Sequence, residues 1–542
     1  MLTNIDIIYL IILIPLVYLS RILPRLYLPL AITHDSYYHL LWAKEIKRIT
    51  YSIPKYHPNT YFKEQYDYPF LYHLFLSLFN DSNRLKAERA TGAIFDAINF
   101  IIFFSFYKYY QQSFQLYSSE FSIAAYLTLS IIIFSPIILR LGYGPRAFNG
   151  SARVFGQTLY FLHLFATVVY FNNGNIFYLI VSIVACSTQF FTSKFSLQVL
   201  VFFSLFLCFA FGFKYLAIIA ISFLFAVVIT KGHVIKIFRS QLTNMSFYLR
   251  ILQKRFVQKD ENFNKTFSRY WLSCKHHLKM FVTFKISYAD FKKWYYSEPY
   301  FLHILITCFP FIFVFVLYLF NYDFWIYFSD KSSFLLCWAL AGIFWFLITK
   351  IEAFLFIGEA ERYLEYAIFP IAFCTLLFAF QSTLPINILN YYFIILTSFL
   401  IYSLYSYFHF LNEYRKNYKS LHDGYFESQK ILIELNKHEV GNILPISAFW
   451  QSLYFSNFPT ITLVHGFDGK VITEKVFLDI FEQYPYPNLN IAYLTEEYNI
   501  KYLFGDKGSI NVYLKKIEDA NYILPYTVIL QSDNYVVYKL IK

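Results

Sequence analysis

The stretch THDSYYHLLWAKEIKR, residues 33–48, follows directly on an apolar run from about Ile5 to Ile32, and this junction decides how the chain is read. A run of that length can cross a hydrocarbon core of about 30 Å, so Asp35 stands where hydrocarbon gives way to water. A carboxylate at such a boundary is costly unless it is solvated or has a task, which makes Asp35 a candidate functional residue. Capping the helix that follows is its alternative role. In helical spacing Tyr38, Leu41, Trp42, Ile46 and Ile49 form one apolar stripe, while Lys44, Lys47 and Arg48 project away. The helix is therefore expected to lie in the interface, with Asp35 and His39 one turn apart on a shared face. The opening run lacks a basic leader and a small-residue cleavage site, and reads as a retained span.

Composition agrees with a membrane protein. Of 542 residues, 58% are hydrophobic and 15% charged, with a mean hydropathy of +0.44, which excludes a string of soluble domains. Aromatics make up 23% of the chain, and Tyr and Trp favour membrane–water interfaces. The six cysteines form no CxxC pair, so neither a zinc cluster nor a disulfide framework is expected.

About eleven apolar runs are long enough to span, in Ile5–Ile32, Ala90–Tyr109, Phe121–Leu139, Val154–Tyr170, Ile176–Phe191, Ser196–Phe211, Tyr215–Ile229, Phe301–Phe320, Phe334–Ile348, Tyr363–Phe380 and Ile386–Phe408. Residues 1–411 are thus expected to form a polytopic α-helical membrane domain. After Leu411 hydropathy drops. Helical segments (Thr473–Gln483, Leu494–Tyr498) alternate there with strand-like ones (Ile461–Val464, Lys501–Phe504, Tyr526–Leu530, Tyr535–Leu540), so 412–542 reads as a soluble α/β domain.

Alternating spans place Thr33–Arg89, Arg140–Arg153, Thr192–Phe195, Lys231–Tyr300, Lys350–Arg362 and the C-terminal domain on one face, which holds almost every charge of the membrane half. On it, Tyr66–Phe75 reads as a second in-plane helix whose His73 is expected to hydrogen-bond at the interface. Arg146 and Arg153 flank GSA in a polar loop, and Lys194 sits at the mouth of a tight hairpin. Guanidinium and ammonium groups at a membrane surface can hold phosphate, and snorkelling to lipid headgroups is the alternative for each. Lys350, Glu352, Glu359, Glu361, Arg362 and Glu365 form a last cluster, read either as an ion-pair network or as part of a catalytic site. Lys231–Glu298 carries fourteen Lys/Arg against four Asp/Glu. Its segment Met245–Gln258 reads as a basic amphipathic helix on anionic lipid, and no nucleic-acid partner is expected. No P-loop, HExxH, GxSxG or kinase signature is present.

An acidic residue just after span one, in-plane helices in the first loop and polar motifs in later loops of the same face resemble the GT-C superfamily of polytopic membrane glycosyltransferases. DSYYHLLWA resembles the first acidic motif of the oligosaccharyltransferase catalytic subunit. RAFNGSARVFGQ, SKFSLQ and GEAERYLEY resemble motifs of prokaryotic membrane glycosyltransferases of this superfamily. The resemblance implies a GT-C-like fold and transfer of a sugar from a polyprenyl-phosphate-linked donor to an acceptor, inverting in the sense that Asp35 serves as general base in a single displacement. It implies that His39, Arg146, Arg153, Lys194 and Arg362 bind substrate or its phosphate. Glu359 and Glu361 would bind a divalent metal ion such as Mg or Mn, or orient Arg362. The resemblance also puts the motif face outside the cytoplasm, whereas the positive-inside rule favours the opposite. A transporter or flippase of lipid-linked sugars is the rival reading; it calls for polar residues deep within several spans.

Overall fold

The computed structural model describes residues 3–27, 34–139, 152–251, 275, 279, 283, 310–349, 352–358, 360–381, 386–447, 449–462, 473–481, 486–522 and 526–541. The chain is an integral, multi-pass membrane protein. Its first helix, α1 (Asn4–Leu26), starts at a capping box in which Thr3 and Asp6 exchange hydrogen bonds. The first loop forms α2 (His34–Arg48) and α3 (Leu71–Ser77). The remaining membrane helices are α4 (Asp81–Ser113), α5 (Ser119–Phe134), α6 (Ala152–Asn173), α7 (Ile176–Gln189), α8 (Lys194–Phe211), α9 (Phe213–Ile229), α10 (His233–Phe247), α11 (Phe311–Tyr318), α12 (Tyr322–Lys331), α13 (Ser333–Thr349), α14 (Ala360–Gln381) and α15 (Ile386–Leu435).

Each of the apolar runs contains a helix, but they do not all cross in the same way. Among the described residues, seven helices are long and apolar enough to span, and up to nine if each bent pair counts as one. The bends, 112° between α9 and α10 and 94° between α11 and α12, fall at short breaks. At the first, Gly232 takes a positive φ of 83°, open to glycine at no steric cost. The helices α7 and α13 are apolar but shorter.

Close packing between spans relies on small residues. A side chain at Gly342 would run into Ala367, where α13 crosses α14, and one at Gly156 would run into Ser196, where α6 meets the start of α8. At the far end of the bundle Lys108 Nζ lies 2.9 Å from Asp6 Oδ2 and the Tyr126 hydroxyl donates to Asp6 Oδ1 at 2.7 Å, tying α1, α4 and α5 together.

The hydropathy boundary after Leu411 falls inside α15, a single helix of 50 residues. Beyond it lie β1 (Asn442–Pro445), α16 (Phe449–Phe455), α17 (Glu474–Ile480), α18 (Ile491–Tyr498), β2 (Ile500–Asp506), α19 (Lys507–Asp519), β3 (Tyr526–Gln531) and β4 (Tyr535–Leu540). The sheet order is β1-β2-β4-β3, with β1 parallel to β2 and the other pairs antiparallel. Glu427 of α15 accepts from Ser532 Oγ at 2.7 Å, from the Asn534 backbone N–H at 2.7 Å and from Asn534 Nδ2 at 2.9 Å, fastening the β3–β4 turn to the long helix. Of the expected strand Ile461–Val464, residues 461–462 are irregular and 463–464 lie outside the described residues, while Thr460 just before it makes isolated bridges to Thr60 and Ile443.

This unit sits directly on the first loop. Asn59 Nδ2 donates to the Leu453 and Ser456 carbonyls at 3.0 and 3.3 Å, and Tyr61 N–H donates to the Thr460 carbonyl at 3.1 Å. Trp450 of α16 packs edge-on against Tyr38 of α2 at 4.7 Å between ring centroids.

Candidate functional site

The apolar stripe expected on α2 is real: Tyr38, Leu41, Trp42 and Ile46 are buried, and Lys44 and Arg48 are exposed. It faces a bed of aromatic and imidazole rings supplied by the first loop. Trp42 Nε1 donates to His57 Nδ1 at 3.0 Å, which puts the hydrogen of neutral His57 on Nε2. His39 Nδ1 and His73 Nε2 are 2.7 Å apart, and the other nitrogen of His73 is 2.6 Å from the Tyr66 hydroxyl. Burial, then the nearby His39 and His57, push the His73 pKa well below the usual His range. His39, expected to bind substrate or its phosphate, and His73, expected to hydrogen-bond at the interface, are therefore partners in one buried chain.

Asp35 is the second residue of α2, and its side chain lies outside the described residues. Its neighbour Ser36 donates to Glu88 Oε1 of α4 at 3.0 Å. Below that contact, Arg21 of α1 pairs with Asp96 of α4 at 2.6 Å, both fully buried, and Arg25 donates to the Arg89 carbonyl. The sequence reading passed over Arg21, Arg25, Glu88 and Asp96, although two arginines four residues apart inside an apolar run were a legible signal.

The cations expected from three different loops converge at the starts of three helices. Arg153 stands on the first turn of α6, Lys194 opens α8 and Arg362 lies on the first turn of α14. Three contacts bind these turns together. Ser196 Oγ and the Tyr366 hydroxyl are 2.8 Å apart, the Arg362 guanidinium lies over the Phe195 ring at 5.5 Å, and Arg153 Nη1 lies 3.7 Å from Glu365 Oε1. Gln157 Nε2 adds a 3.4 Å contact to the other oxygen of Glu365. Glu365 is thus an ion-pair partner of Arg153. The Lys194 ammonium is covered, lies 4.9 Å from the centroid of the Tyr68 ring, and makes no hydrogen bond to a described residue. Tyr68 in turn packs on Trp42 at 4.6 Å, so the cation cluster and α2 share one wall.

Arg146 and Glu359 lie outside the described residues, as does the side chain of Glu361. Among the described residues, no three His, Cys, Asp or Glu are gathered to hold a metal ion. The nearest donors are engaged elsewhere: Asp96 with Arg21, Glu88 with Ser36, and His39 with His73. These residues do not make a metal site.

Comparison with solved structures finds likeness over nearly the whole chain. The archaeal oligosaccharyltransferase AglB from Archaeoglobus fulgidus, in complex with an inhibitory peptide and a dolichol-phosphate, superposes with a TM-score of 0.55 at 12% identity, covering 98% of this chain and 73% of that one. ArnT from Cupriavidus metallidurans bound to undecaprenyl phosphate gives 0.51 at 10% identity, covering 99% and 98%. The fold is GT-C. No family model matches the sequence, and no curated protein does. At these identities the likeness is one of fold, and it explains why the GT-C resemblance lay in the order and sidedness of motifs. In this chain the first-loop helices, the cation cluster and the C-terminal unit lie against one another.

Proposed function

We propose that the chain is a membrane glycosyltransferase that moves a sugar from a polyprenyl-phosphate donor to an acceptor, by inversion at the anomeric carbon. The observation that carries this reading is the covered Lys194 ammonium without a hydrogen-bonding partner among the described residues, set beside Arg153 and Arg362 at three helix starts. A covered cation without a hydrogen bond is costly, and three helix N-termini add partial positive charge to the same place. An anion arriving there, the phosphate of a lipid embedded in the bilayer, relieves that cost.

In the reaction, Asp35 accepts the proton of the acceptor as the acceptor attacks the anomeric carbon, and the bond from that carbon to the phosphate oxygen breaks. Arg153, Lys194 and Arg362 stabilise the charge left on the departing lipid phosphate. His39 lines the wall between base and phosphate, oriented by His73. We infer the extracytoplasmic side for this face, following the resemblance. Glu365 and Gln157 hold Arg153 in place. The GT-C neighbours with bound dolichol-phosphate and undecaprenyl phosphate support the choice of donor class.

The test is incubation of purified protein with a panel of radiolabelled polyprenyl-phosphate monosaccharides, scoring release of free lipid phosphate. One of them should turn over, and Asp35→Asn should lower that turnover by at least about a hundredfold while the variant remains folded. Full turnover in Asp35→Asn would remove the assigned base. Lipid movement across the bilayer without bond cleavage would favour the transporter reading.

A further inference from the structure

The helix α10 has a use that the transfer reaction does not require. It leaves α9 at 112° and so runs across the direction of the span it follows. Its side chains fall into three adjoining sectors. Val234, Ile237 and Gln241 are buried against the protein, and Gln241 Nε2 donates to the Lys194 carbonyl at 3.1 Å. Next around the helix come Ile235, Phe238 and Leu242, which are 52%, 37% and 55% exposed. Their spacing of three and four residues puts them on one stripe. The third sector carries Lys236 and Arg239, both exposed, with exposed Lys231 just ahead of Gly232.

A helix with one face on protein, one bare apolar stripe and one basic edge fits the boundary between acyl chains and headgroups. Its far end is fixed as well: Phe247 packs on Phe477 at 4.9 Å, and Arg250 lies 3.6 Å from Glu474, so α10 bridges α9 to the C-terminal unit. We propose that α10 docks anionic phospholipid, with Ile235, Phe238 and Leu242 among the acyl chains and Lys231, Lys236 and Arg239 on the headgroup phosphates. This goes beyond the transfer reading and does not rest on it. The occupant is chosen by charge complementarity, since the apolar stripe alone would accept any lipid and the basic edge selects the anionic ones. Of the basic segment expected at Met245–Gln258, residues 252–258 lie outside the described residues; the amphipathic helix that the structure describes begins at His233, after Gly232.

The experiment is lipid retention. The full-length protein is reconstituted in nanodiscs of equal parts phosphatidylglycerol and phosphatidylcholine, released, and weighed by native mass spectrometry to count the lipids of each kind that stay bound. Wild type should retain phosphatidylglycerol in preference. Each charge near the surface is worth about fivefold in binding, so Lys236→Gln with Arg239→Gln should lower that preference by about twenty-five-fold, with phosphatidylcholine retention unchanged. Should the double variant not fold, Arg239→Gln alone should give about fivefold. An unchanged lipid ratio in a folded variant overturns the proposal. So does a wild-type dimer without lipid preference that separates on Ile235→Ser, which would make the occupant a second copy of the chain.

Discussion

Nδ1 of His39 and Nε2 of His73 stand 2.7 Å apart in a buried pocket, closed on the other side by the Tyr66 hydroxyl. At that spacing one nitrogen must donate and the other accept, so the pair holds together only while one ring supplies a lone pair. Folding depresses the His73 pKa well below its usual value of 6.5. As pH falls through about 6.5, the unfolded chain therefore takes up a proton that the native pocket refuses. Stability is present above that pH and is lost below it, with a slope of up to about 1.4 kcal/mol per pH unit from this residue. Melting temperature followed from pH 8 to pH 5 should fall toward the acid end, and His73→Gln should flatten the curve. An equal acid slope in the variant would assign the effect to other groups.

The Arg21–Asp96 pair, 2.6 Å long and fully buried between α1 and α4, makes a prediction about stability alone. Removing one partner strands the other charge, so Arg21→Met or Asp96→Leu should each cost about 3–5 kcal/mol. Replacing both should recover most of that loss, because two well-packed apolar side chains need no solvation. Thermal unfolding of the two single variants and the double variant closes the cycle, and a double variant no more stable than the worse single one would contradict it.

What the sequence could reveal followed from periodicity and order. The α2 stripe, the short helix α3 and the gathering of Arg153, Lys194 and Arg362 follow from apolar spacing plus the alternation of spans. Contacts between distant segments left no such trace. Nothing in the spacing of residue 39 and residue 73 announces a bond across two loop helices, and Glu365 reads as one more acid until α14 is seen against α6. The terminal sheet was legible where strands alternate, as in Tyr535–Leu540. It was missed at Asn442–Pro445, a short strand whose burial comes from its neighbours. The end of the span at Ile229 was legible, but the helix that turns away after Gly232 at 112° was not, because hydropathy does not register a change of direction.

Lys194 separates function from stability. Its ammonium is covered and lacks a hydrogen bond to a described residue, and the buried Glu64 carboxylate acts on it through its charge, so Lys194→Gln should shift the melting temperature only slightly. If Lys194 holds the phosphate as proposed, the same variant removes a charge-assisted contact to it, worth about 1.5–3 kcal/mol. That is at least about tenfold in kcat/KM for the lipid-linked donor, with Lys194→Arg recovering part of it. A variant that loses stability and activity together would mark Lys194 as a structural residue.

Gly156 sets how closely α6 approaches the first turn of α8. A side chain there would fall inside contact distance of Ser196 Oγ and Cβ, and Ser196 is the residue that meets the Tyr366 hydroxyl at 2.8 Å. Gly156→Ala must therefore push α6 away from α8 or break the Ser196–Tyr366 contact, an overpacking cost of about 1–3 kcal/mol. Either response spreads the cation cluster, so donor KM should rise along with the fall in melting temperature. Ser196→Gly added to Gly156→Ala vacates the space the new methyl needs, and should restore the helix spacing and with it the donor KM, even though the Tyr366 contact is gone. Recovery of KM in the pair, beyond what Ser196→Gly does alone, would tie substrate binding to the spacing of these two helices. Additive losses would instead show that the Ser196–Tyr366 contact itself sets the geometry.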